Sequence, residues 1–336
     1  MIWLNNARIV AILAVVHLHV TAVVLSGNYV GSEYWWVGNI SSTVVRWCVP
    51  VFVMISGALL LDPQKQESSS IFYKKRLSKI LIPIGFWSVF FLFWTFLHGF
   101  IDGILPSNLQ LLKRLLKGLP YEHLWFLYMI LGMYLFVPFF RKIISISSDR
   151  EIVFFTVTTF LIAGINFFHT SVSNVVRPDL FINWFLLYIP FFFSGYLIQK
   201  DNRKFPTSVL WSIFLFSAAA TAVGYYYVAL DSEFLSDSYF HGYLSITVIP
   251  MSISVMYLLK EWNIPALNET ATKKIALLTF GIYLVHPIVI EVLNKTDYLR
   301  AVHPAIAIPT STAIVFTVSL GISWALYKIP YLNRTI

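Results

Sequence analysis

Long apolar runs, each separated from the next by a few polar or turn-forming residues, dominate the chain. A helix that crosses a bilayer needs about 20 mostly apolar residues. Ten segments meet this requirement, at residues 3–25, 37–61, 80–101, 121–140, 151–169, 180–198, 206–230, 240–260, 274–293 and 304–328. The gaps between them carry charges or helix breakers. The pattern therefore predicts an all-α, polytopic integral membrane protein with about ten transmembrane helices.

Composition agrees with a lipid surrounding. Hydrophobic residues make up 58% of the 336 positions, aromatic residues 17% and charged residues only 12%, whereas a soluble domain carries about a quarter charged residues. No internal repeat and no Gly/Ser linker is evident. The apolar run 3–25 is too long for a cleavable signal and reads as the first span. We expect one membrane-embedded domain over residues 1–336, without an appended soluble domain.

The net charge of +8 would suit a nucleic-acid partner in a soluble protein. Here the basic residues lie in short loops, where they orient the chain in the membrane, so we expect no nucleic acid. With a cytoplasmic N-terminus, 17 cations lie inside: Arg8, Lys65, Lys74, Lys75, Arg76, Lys79, Arg141, Lys142, Arg150, Lys200, Arg203, Lys204, Lys260, Lys273, Lys274, Lys328 and Arg334. Six lie outside: Lys113, Arg114, Lys117, Arg177, Lys295 and Arg300. This bias predicts that both termini are cytoplasmic.

Two smaller features narrow the chemistry. The single cysteine, Cys48, can form no intrachain disulfide, and no Cys/His spacing typical of a metal site appears, so we expect no metal. Residues 109–119 place leucines at helical spacing around three cations. This pattern predicts an amphipathic helix at the membrane interface, most simply a surface anchor.

Ionisable side chains inside spans are costly, and each is a functional hypothesis. In the first span Arg8 and His19 are 11 positions apart, which brings them to within about 20° of each other, three turns apart on one face. Asn5 lies near the same face. His17 falls nearly opposite Arg8. We therefore expect Arg8 and His19 to act together and His17 to pack against a neighbouring helix.

The second span carries Arg46 shortly before Pro50, followed by Ser56 and Gly57. An arginine at this depth requires a partner or a water-filled cavity. It is too far from the end of the span to reach the interface comfortably. The Ser56-Gly57 pair also fits a simple site of close helix packing.

Histidines concentrate on one side of the predicted membrane. His123 and Trp125 open the fourth span, and Tyr283 and His286 lie in the ninth. A neutral histidine can act as a general base, which places any proton transfer near the outer side. The orientation puts all eight in the outer half or at its edge: His17, His19, His98, His123, His169, His241, His286 and His303.

These residues form six ordered motifs that resemble the acyltransferase family 3 of membrane proteins, most closely its bacterial members that O-acetylate surface polysaccharides. The motifs are Arg8 with His19 after ten residues, RWCVPVFVMISG from 46, FYKKRLSKILIP from 72, HLWFL from 123, FFFSGYLI from 191 and TFGIYLVH from 279. Three positions depart from the family pattern, namely Asn5 for aspartate, Lys79 for arginine and Thr279 for serine.

The resemblance implies transfer of an acyl group, usually acetyl from cytoplasmic acetyl-CoA, to a sugar hydroxyl beyond the membrane. The acceptor would be a glycan of the O-antigen, capsule or common-antigen type, and the protein would lie in a bacterial inner membrane. The expected catalytic residues are His19, Arg8 and Arg46, with His19 as a general base or a covalent acyl carrier. The expected donor-binding residues are Arg8, Lys75, Arg76, Lys79 and Ser56, and the acceptor-binding residues are His123, Trp125, Tyr283 and His286.

Two other classes compete with an acyltransferase. A secondary transporter or polysaccharide flippase also lines a path with intramembrane arginine and histidine. Against it, the sequence has no visible inverted repeat and no visible pair of broken helices. A sensor or scaffold without chemistry leaves the alignment of Arg8 with His19 unexplained.

Overall fold

The described part of the chain is mostly α-helical. A computed structural model describes residues 1–64, 67–173, 181–230, 235–236 and 238–336. The α-helices are α1 (Ile2–Ser26), α2 (Glu33–Thr43), α3 (Cys48–Leu60), α4 (Ser69–Ile101), α5 (Asn108–Leu116), α6 (Trp125–Ile146), α7 (Asp149–Ser173), α8 (Trp184–Lys200), α9 (Thr207–Leu230), α10 (Val248–Glu261), α11 (Glu269–Asn294), α12 (Tyr298–Ala301) and α13 (Pro304–Lys328). Short 3₁₀ turns cover Glu122–Leu124, Phe181–Asn183 and Leu332–Arg334. The predicted all-α membrane fold is confirmed. Lys65, Arg177 and most of the acidic loop 231–238 lie outside the described residues.

Eight helical segments are long and apolar enough to cross a bilayer among the residues described. They are α1, the unit formed by α2 and α3, α4, α6 with the turn before it, α7, α9, α11 and α13. The other two predicted spans, 180–198 and 240–260, contain the shorter helices α8 and α10, of 17 and 14 residues. Length alone therefore does not make these two segments membrane spans.

Contacts between helix ends show how α8 and α10 are oriented in the bundle. Lys200, at the end of α8, pairs with Asp149 at the start of α7, 2.6 Å apart. Lys260, at the end of α10, donates to the carbonyl oxygen of Asp201. At the other end of α7, the backbone of Ser171 accepts from Ser236, which follows α9. The C-terminal ends of α8 and α10 therefore lie at the same end of the bundle as the start of α7, and Ser236 lies at the other end.

The apolar sequence predicts one continuous helix for the second span, but the structure breaks this helix in two. Residues 44–47 form turns between α2 and α3, and the backbone N–H groups of Val45 and Arg46 bond three residues back, to Ser42 and Thr43. Pro50 explains part of the break, because it has no N–H to bond the carbonyl oxygen four residues earlier. Arg46 therefore lies in a helix break.

A second break lies before α10. Residues 238–247 form turns, and the helix begins only at Val248, with Pro250 as its third residue. The structure thus has one helix break, in the second span, and a stretch of turns before α10, neither of which is visible as a break in the sequence. Irregular backbone at membrane depth is tolerated where it is buried in protein or lines a cavity. The two breaks are joined directly, since Arg46 bonds His241.

Glycines allow α3 and α8 to touch along their backbones. A Cβ added at Gly57 would overlap the carbonyl oxygen of Phe192, and one added at Gly195 would overlap that of Met54. Small residues at such crossings are typical of membrane helix pairs. The close-packing interpretation of Gly57 is confirmed.

The helices divide into an inner and an outer set. In the most apolar stretch of α11 and of the α2–α3 unit, 61% and 67% of residues are buried, against 17% in α7 and 22% in α9. The short helices α3, α8 and α10 are buried along most of their lengths. The predicted amphipathic segment forms α5, and none of its residues is buried. The core therefore lies around α1, α3, α8, α10 and α11.

Candidate active site

Three histidines from distant parts of the chain meet in the core. His19 of α1 and His286 of α11 have ring centroids 4.9 Å apart, and His123, in the turn before α6, lies 5.6 Å from His286. The ring of Tyr283 lies 5.3 Å from that of His123, and its hydroxyl donates to the His123 carbonyl oxygen. We call His19, His123 and His286 the histidine cluster. Three of the four predicted acceptor residues therefore surround the predicted base.

His19 is the accessible member of this cluster. His286 is 0% exposed and His123 is 4% exposed, whereas His19 is only partly buried. Its Nδ1 lies 2.9 Å from the carbonyl oxygen of Val15. A carbonyl only accepts, so Nδ1 carries the proton and Nε2 keeps its lone pair. The side chain is therefore held in the form that can accept a proton or attack an acyl group.

His286 is held in the same tautomer. Its Nδ1 lies 2.7 Å from the carbonyl oxygen of Tyr283, which fixes the proton on that nitrogen. Its Nε2 is buried and has no hydrogen-bond partner among the residues that the structure describes. Buried polar atoms are nearly always paired, so an unpaired one marks a place where a substrate group can bind. His286 thus offers an acceptor directly beside His19.

Arg46 lies in the helix break, where its guanidinium is held by hydrogen bonds from its two terminal nitrogens. Its Nη2 donates to the Ser42 hydroxyl at 2.7 Å and to His241 Nδ1 at 2.8 Å. Its Nε is buried and has no hydrogen-bond partner in the described part of the chain. The guanidinium is close enough to His19 for their charges to interact. Arg46 therefore does not reach toward the membrane interface, and its free N–H can serve a negatively charged oxygen.

A second group of cations lies at the other end of α1. Arg8 is half-buried and lies within electrostatic range of Arg76 and of the Tyr134 hydroxyl. Ser56 is within hydrogen-bonding reach of Tyr134, and Arg76 interacts electrostatically with Arg141. We call Arg8, Arg76 and Arg141 the basic cluster. The structure thus brings together three of the predicted donor-binding residues, Arg8, Arg76 and Ser56.

The other two predicted donor-binding residues lie apart from this group. Lys75 and Lys79 are exposed, and Lys75 pairs with Glu67 at 3.1 Å. The hydrogen bond from Lys75 lowers the pKa of the Glu67 carboxyl, so this carboxylate is charged near neutral pH. Glu67 also lies 3.7 Å from Arg141. Lys75 and Lys79 can steer an anion toward the basic cluster but do not line it.

Trp125 belongs to an aromatic wall rather than to the histidine cluster. Its ring stacks on Tyr243 with centroids 6.0 Å apart and lies 5.6 Å from Tyr188. Tyr243 in turn is close to Arg46. The wall consists of rings that are apolar on their faces and polar at their tips. It therefore connects the break in the second span with the start of α6.

His17 points away from this site, as predicted. Its Nδ1 lies 3.1 Å from the Thr312 hydroxyl of α13. The His17 ring also bonds the backbone of Ser41 in α2, so neighbouring helices satisfy this side chain, as expected for a packing residue.

Sequence reasoning missed two residues of the site. The sequence placed His241 only in the outer half of the membrane or at its edge, together with the other histidines. Tyr134 was not considered. The signal for His241 was available in the turn-forming residues around it and in Pro250, which together end a helical pattern. Tyr134 has no such signal, because one tyrosine among many in an apolar span is usual. No group of three His, Cys, Asp or Glu side chains suitable for a metal ion occurs within the described ranges.

The fold and the site together define a polytopic membrane protein whose core holds histidines and arginines on adjoining helices. Residues 1–328 match the model of the acyltransferase domain of acyltransferase family 3, and the chain belongs to this family. It is therefore an acyltransferase of the membrane-embedded type. No curated protein and no solved structure matches it.

Proposed function

We propose that the protein transfers an acetyl group from cytoplasmic acetyl-CoA to a hydroxyl of a periplasmic or cell-surface glycan, in a bacterial inner membrane. One observation carries the proposal. A single helix, α1, connects the basic cluster, through Arg8, to the histidine cluster, through His19. An anionic donor and a hydroxyl acceptor require these two kinds of site.

The spacing along α1 suits the donor. Arg8 and His19 are separated by 11 positions, which is about 16 Å along a helix axis. The pantetheine arm of CoA has about as many bonds as four peptide units and spans roughly 14 Å when extended. With its phosphates at the basic cluster, the donor can therefore place its thioester beside His19.

The chemistry needs only groups that meet at this point. The acceptor hydroxyl gives its proton to His19 Nε2 as its oxygen attacks the thioester carbonyl carbon. Negative charge then develops on the carbonyl oxygen, where the free N–H of Arg46 stabilises it. The C–S bond breaks, and the CoA thiolate takes the proton from His19. The same nitrogen lone pair also suits a covalent acyl–histidine intermediate, in which His19 attacks first and the hydroxyl second.

The acceptor would bind between the histidine cluster and the aromatic wall. His286 Nε2 accepts a hydrogen bond from a neutral hydroxyl, and Trp125 and Tyr243 offer flat faces for a sugar ring. These features favour a neutral polyhydroxyl acceptor over an anion. A glycan of the O-antigen, capsule or common-antigen type has this character.

A transporter or flippase remains the alternative from another class. The facing breaks in the second span and before α10 are a feature that transporters use. Membership of an acyltransferase family and a histidine held as a base favour group transfer.

The proposal requires a defined orientation in the membrane. We expect cysteine labelling at Gln64, which follows α3, to occur from the cytoplasm, and labelling at Ser236, which follows α9, to occur from the outside. The physical reason is that Leu60, at the end of α3, accepts from Arg141 near the end of α6, whereas Ser236 bonds Ser171 near the far end of the following helix, α7. The reverse labelling pattern would contradict a donor site on the cytoplasmic side.

We expect Arg8→Ala and Arg76→Ala to weaken acetyl-CoA binding by about tenfold each, because each removes a charge-assisted contact to phosphate. Binding of acetyl-CoA to the purified protein measures this effect, and release of the CoA thiol tests the activity itself. Higher salt should reduce the loss of affinity caused by Arg76→Ala, because salt screens the charge of a partly exposed cation.

Lys79→Ala is the matched control, since Lys79 is exposed at the same end of α4 as Arg76. It should change the affinity by less than about twofold, as is usual for a surface charge. Equal affinities for the parent, Arg8→Ala and Arg76→Ala would refute the donor site.

A further inference from the structure

A buried pair, Arg46 and His241, joins the two helix breaks. The guanidinium donates from Nη2 to His241 Nδ1 at 2.8 Å and from Nη1 to the His241 carbonyl oxygen at 3.2 Å. A third bond from Nη2 goes to the Ser42 hydroxyl at 2.7 Å. His241 therefore accepts hydrogen bonds from the guanidinium with both its ring and its backbone.

These bonds determine the protonation of His241. Arginine is only a donor, so Nδ1 of His241 must accept and the ring is neutral, with its proton on Nε2. That nitrogen faces Asn39 Oδ1 at 3.3 Å. The Asn39 amide is itself oriented, because its Nδ2 donates to the Ala222 carbonyl oxygen at 2.9 Å. The donors in this chain of hydrogen bonds all point one way, from Arg46 through His241 and Asn39 to the Ala222 carbonyl oxygen of α9.

The ring of His241 is also fixed by stacking. It lies on the ring of Tyr225 with centroids 3.6 Å apart and planes at 22°, and the residue is 7% exposed. Rotation of the imidazole would break the stack and both of its hydrogen bonds. The acceptor offered to Arg46 is therefore rigid.

These hydrogen bonds leave Arg46 with N–H donors that neither Ser42 nor His241 uses. Of its five N–H groups, three are occupied by the bonds to Ser42 and His241. The Nε of Arg46 is buried and has no hydrogen-bond partner among the described residues. A neutral partner holds the guanidinium without cancelling its charge, whereas a carboxylate at the same place would neutralise much of its field.

We propose that His241 is the positioning residue of Arg46: as a rigid, neutral acceptor it aims the guanidinium at the acyl oxygen beside His19 while leaving its full positive charge for catalysis. This inference rests on the proposed function, in which Arg46 stabilises that oxygen. It assigns to His241 a role that acts through Arg46 and not by contact with the substrate.

The test compares His241→Asn with His241→Asp, two side chains of nearly equal size. Asparagine supplies a neutral oxygen near the position of Nδ1, and aspartate supplies a charged one that should bind Arg46 more strongly. Acetyl transfer from acetyl-CoA to extracted membrane glycolipid is followed as release of the CoA thiol. His241→Ala should lower kcat by about tenfold to a hundredfold and leave the KM for acetyl-CoA within about twofold.

We expect His241→Asn to recover most of the lost kcat and His241→Asp to recover none, although the Asp variant should melt at least as high as the Asn variant. A purely structural histidine would give the opposite order, because the stronger ion pair would restore more function. Equal kcat for Asp and Asn, or a parent-like Ala variant, would overturn the inference. His17→Ala, which removes a comparable bond to Thr312 away from the site, is the control for disturbed packing.

Arg46→Ala separates the two possible failures. If this variant is inactive while all three His241 variants behave like the parent, the positioning role is wrong and the proposed function stands. If Arg46→Ala transfers acetyl normally, the proposed role of Arg46 is wrong, and the role of His241 is wrong with it. A parent protein that releases no thiol from acetyl-CoA would overturn the proposed function itself.

Discussion

Replacing His19 with alanine is expected to abolish acyl transfer, whereas replacing His17, two residues away, is expected to preserve most of it. His19 faces His286 across 4.9 Å and presents an unprotonated Nε2, while His17 bonds Thr312 on another helix. Loss of a general base alone costs about a hundredfold to ten-thousandfold in rate. Loss of His17 removes hydrogen bonds to Thr312 and to the backbone of Ser41, each about 1 kcal/mol of stability.

Acetylation of the surface glycan in cells and thiol release by the purified proteins measure the difference. Both variants must reach the membrane in equal amounts, which immunodetection of the membrane fraction verifies. His19→Gln adds a further arm, because glutamine can still bond but cannot act as a base. An active His19→Ala together with an inactive His17→Ala would refute both the helix face and the catalytic assignment.

Enlarging Gly57 is expected to have the largest effect on folding. A Cβ there would overlap the backbone carbonyl oxygen of Phe192, and backbone cannot turn aside as a flexible side chain can. Gly57→Leu must therefore push α3 away from α8, at a cost of about 3 kcal/mol or more for overpacking. We expect Gly57→Leu to melt about 5 °C or more below the parent protein. Little of this variant should elute as a monodisperse species in detergent.

Gly321→Leu is the matched control for this change. Gly321 lies inside α13, and a Cβ there would meet nothing within 4 Å. This variant should melt within a degree or two of the parent, since leucine suits an exposed position in a membrane helix. Comparable losses at Gly57 and Gly321 would mean that the α3–α8 contact does not limit stability.

The membrane fold was predictable because lipid permits few solutions. Backbone groups must be satisfied within each span, so a long apolar run means a helix almost without alternative. The alignment of Arg8 with His19 was predictable for a related reason, since both lie on one regular helix whose geometry is known. The opposite direction of His17 follows from the same geometry and is confirmed by its bond to Thr312.

What could not be predicted depends on contacts between helices. His19, His123 and His286 come from three separate spans, and nothing in their spacing along the chain states that they meet. The break at residues 44–47 was hidden because those residues are mostly apolar, so hydrophobicity continues where the helix does not. Arg46 was expected to need a partner, but only the packing of the second break identifies His241.

Two of the inner helices are shorter than the membrane that the acyl group would cross in the proposed reaction. α3 has 13 residues and α10 has 14, which is about 20 Å of helix against a hydrocarbon layer of roughly 30 Å. The helices α1 and α11 beside them are long enough to span that layer, so only part of the core is short. In the proposed reaction, a bound donor would reach the acceptor through this shorter part, where an extended pantetheine arm of roughly 14 Å covers most of the distance.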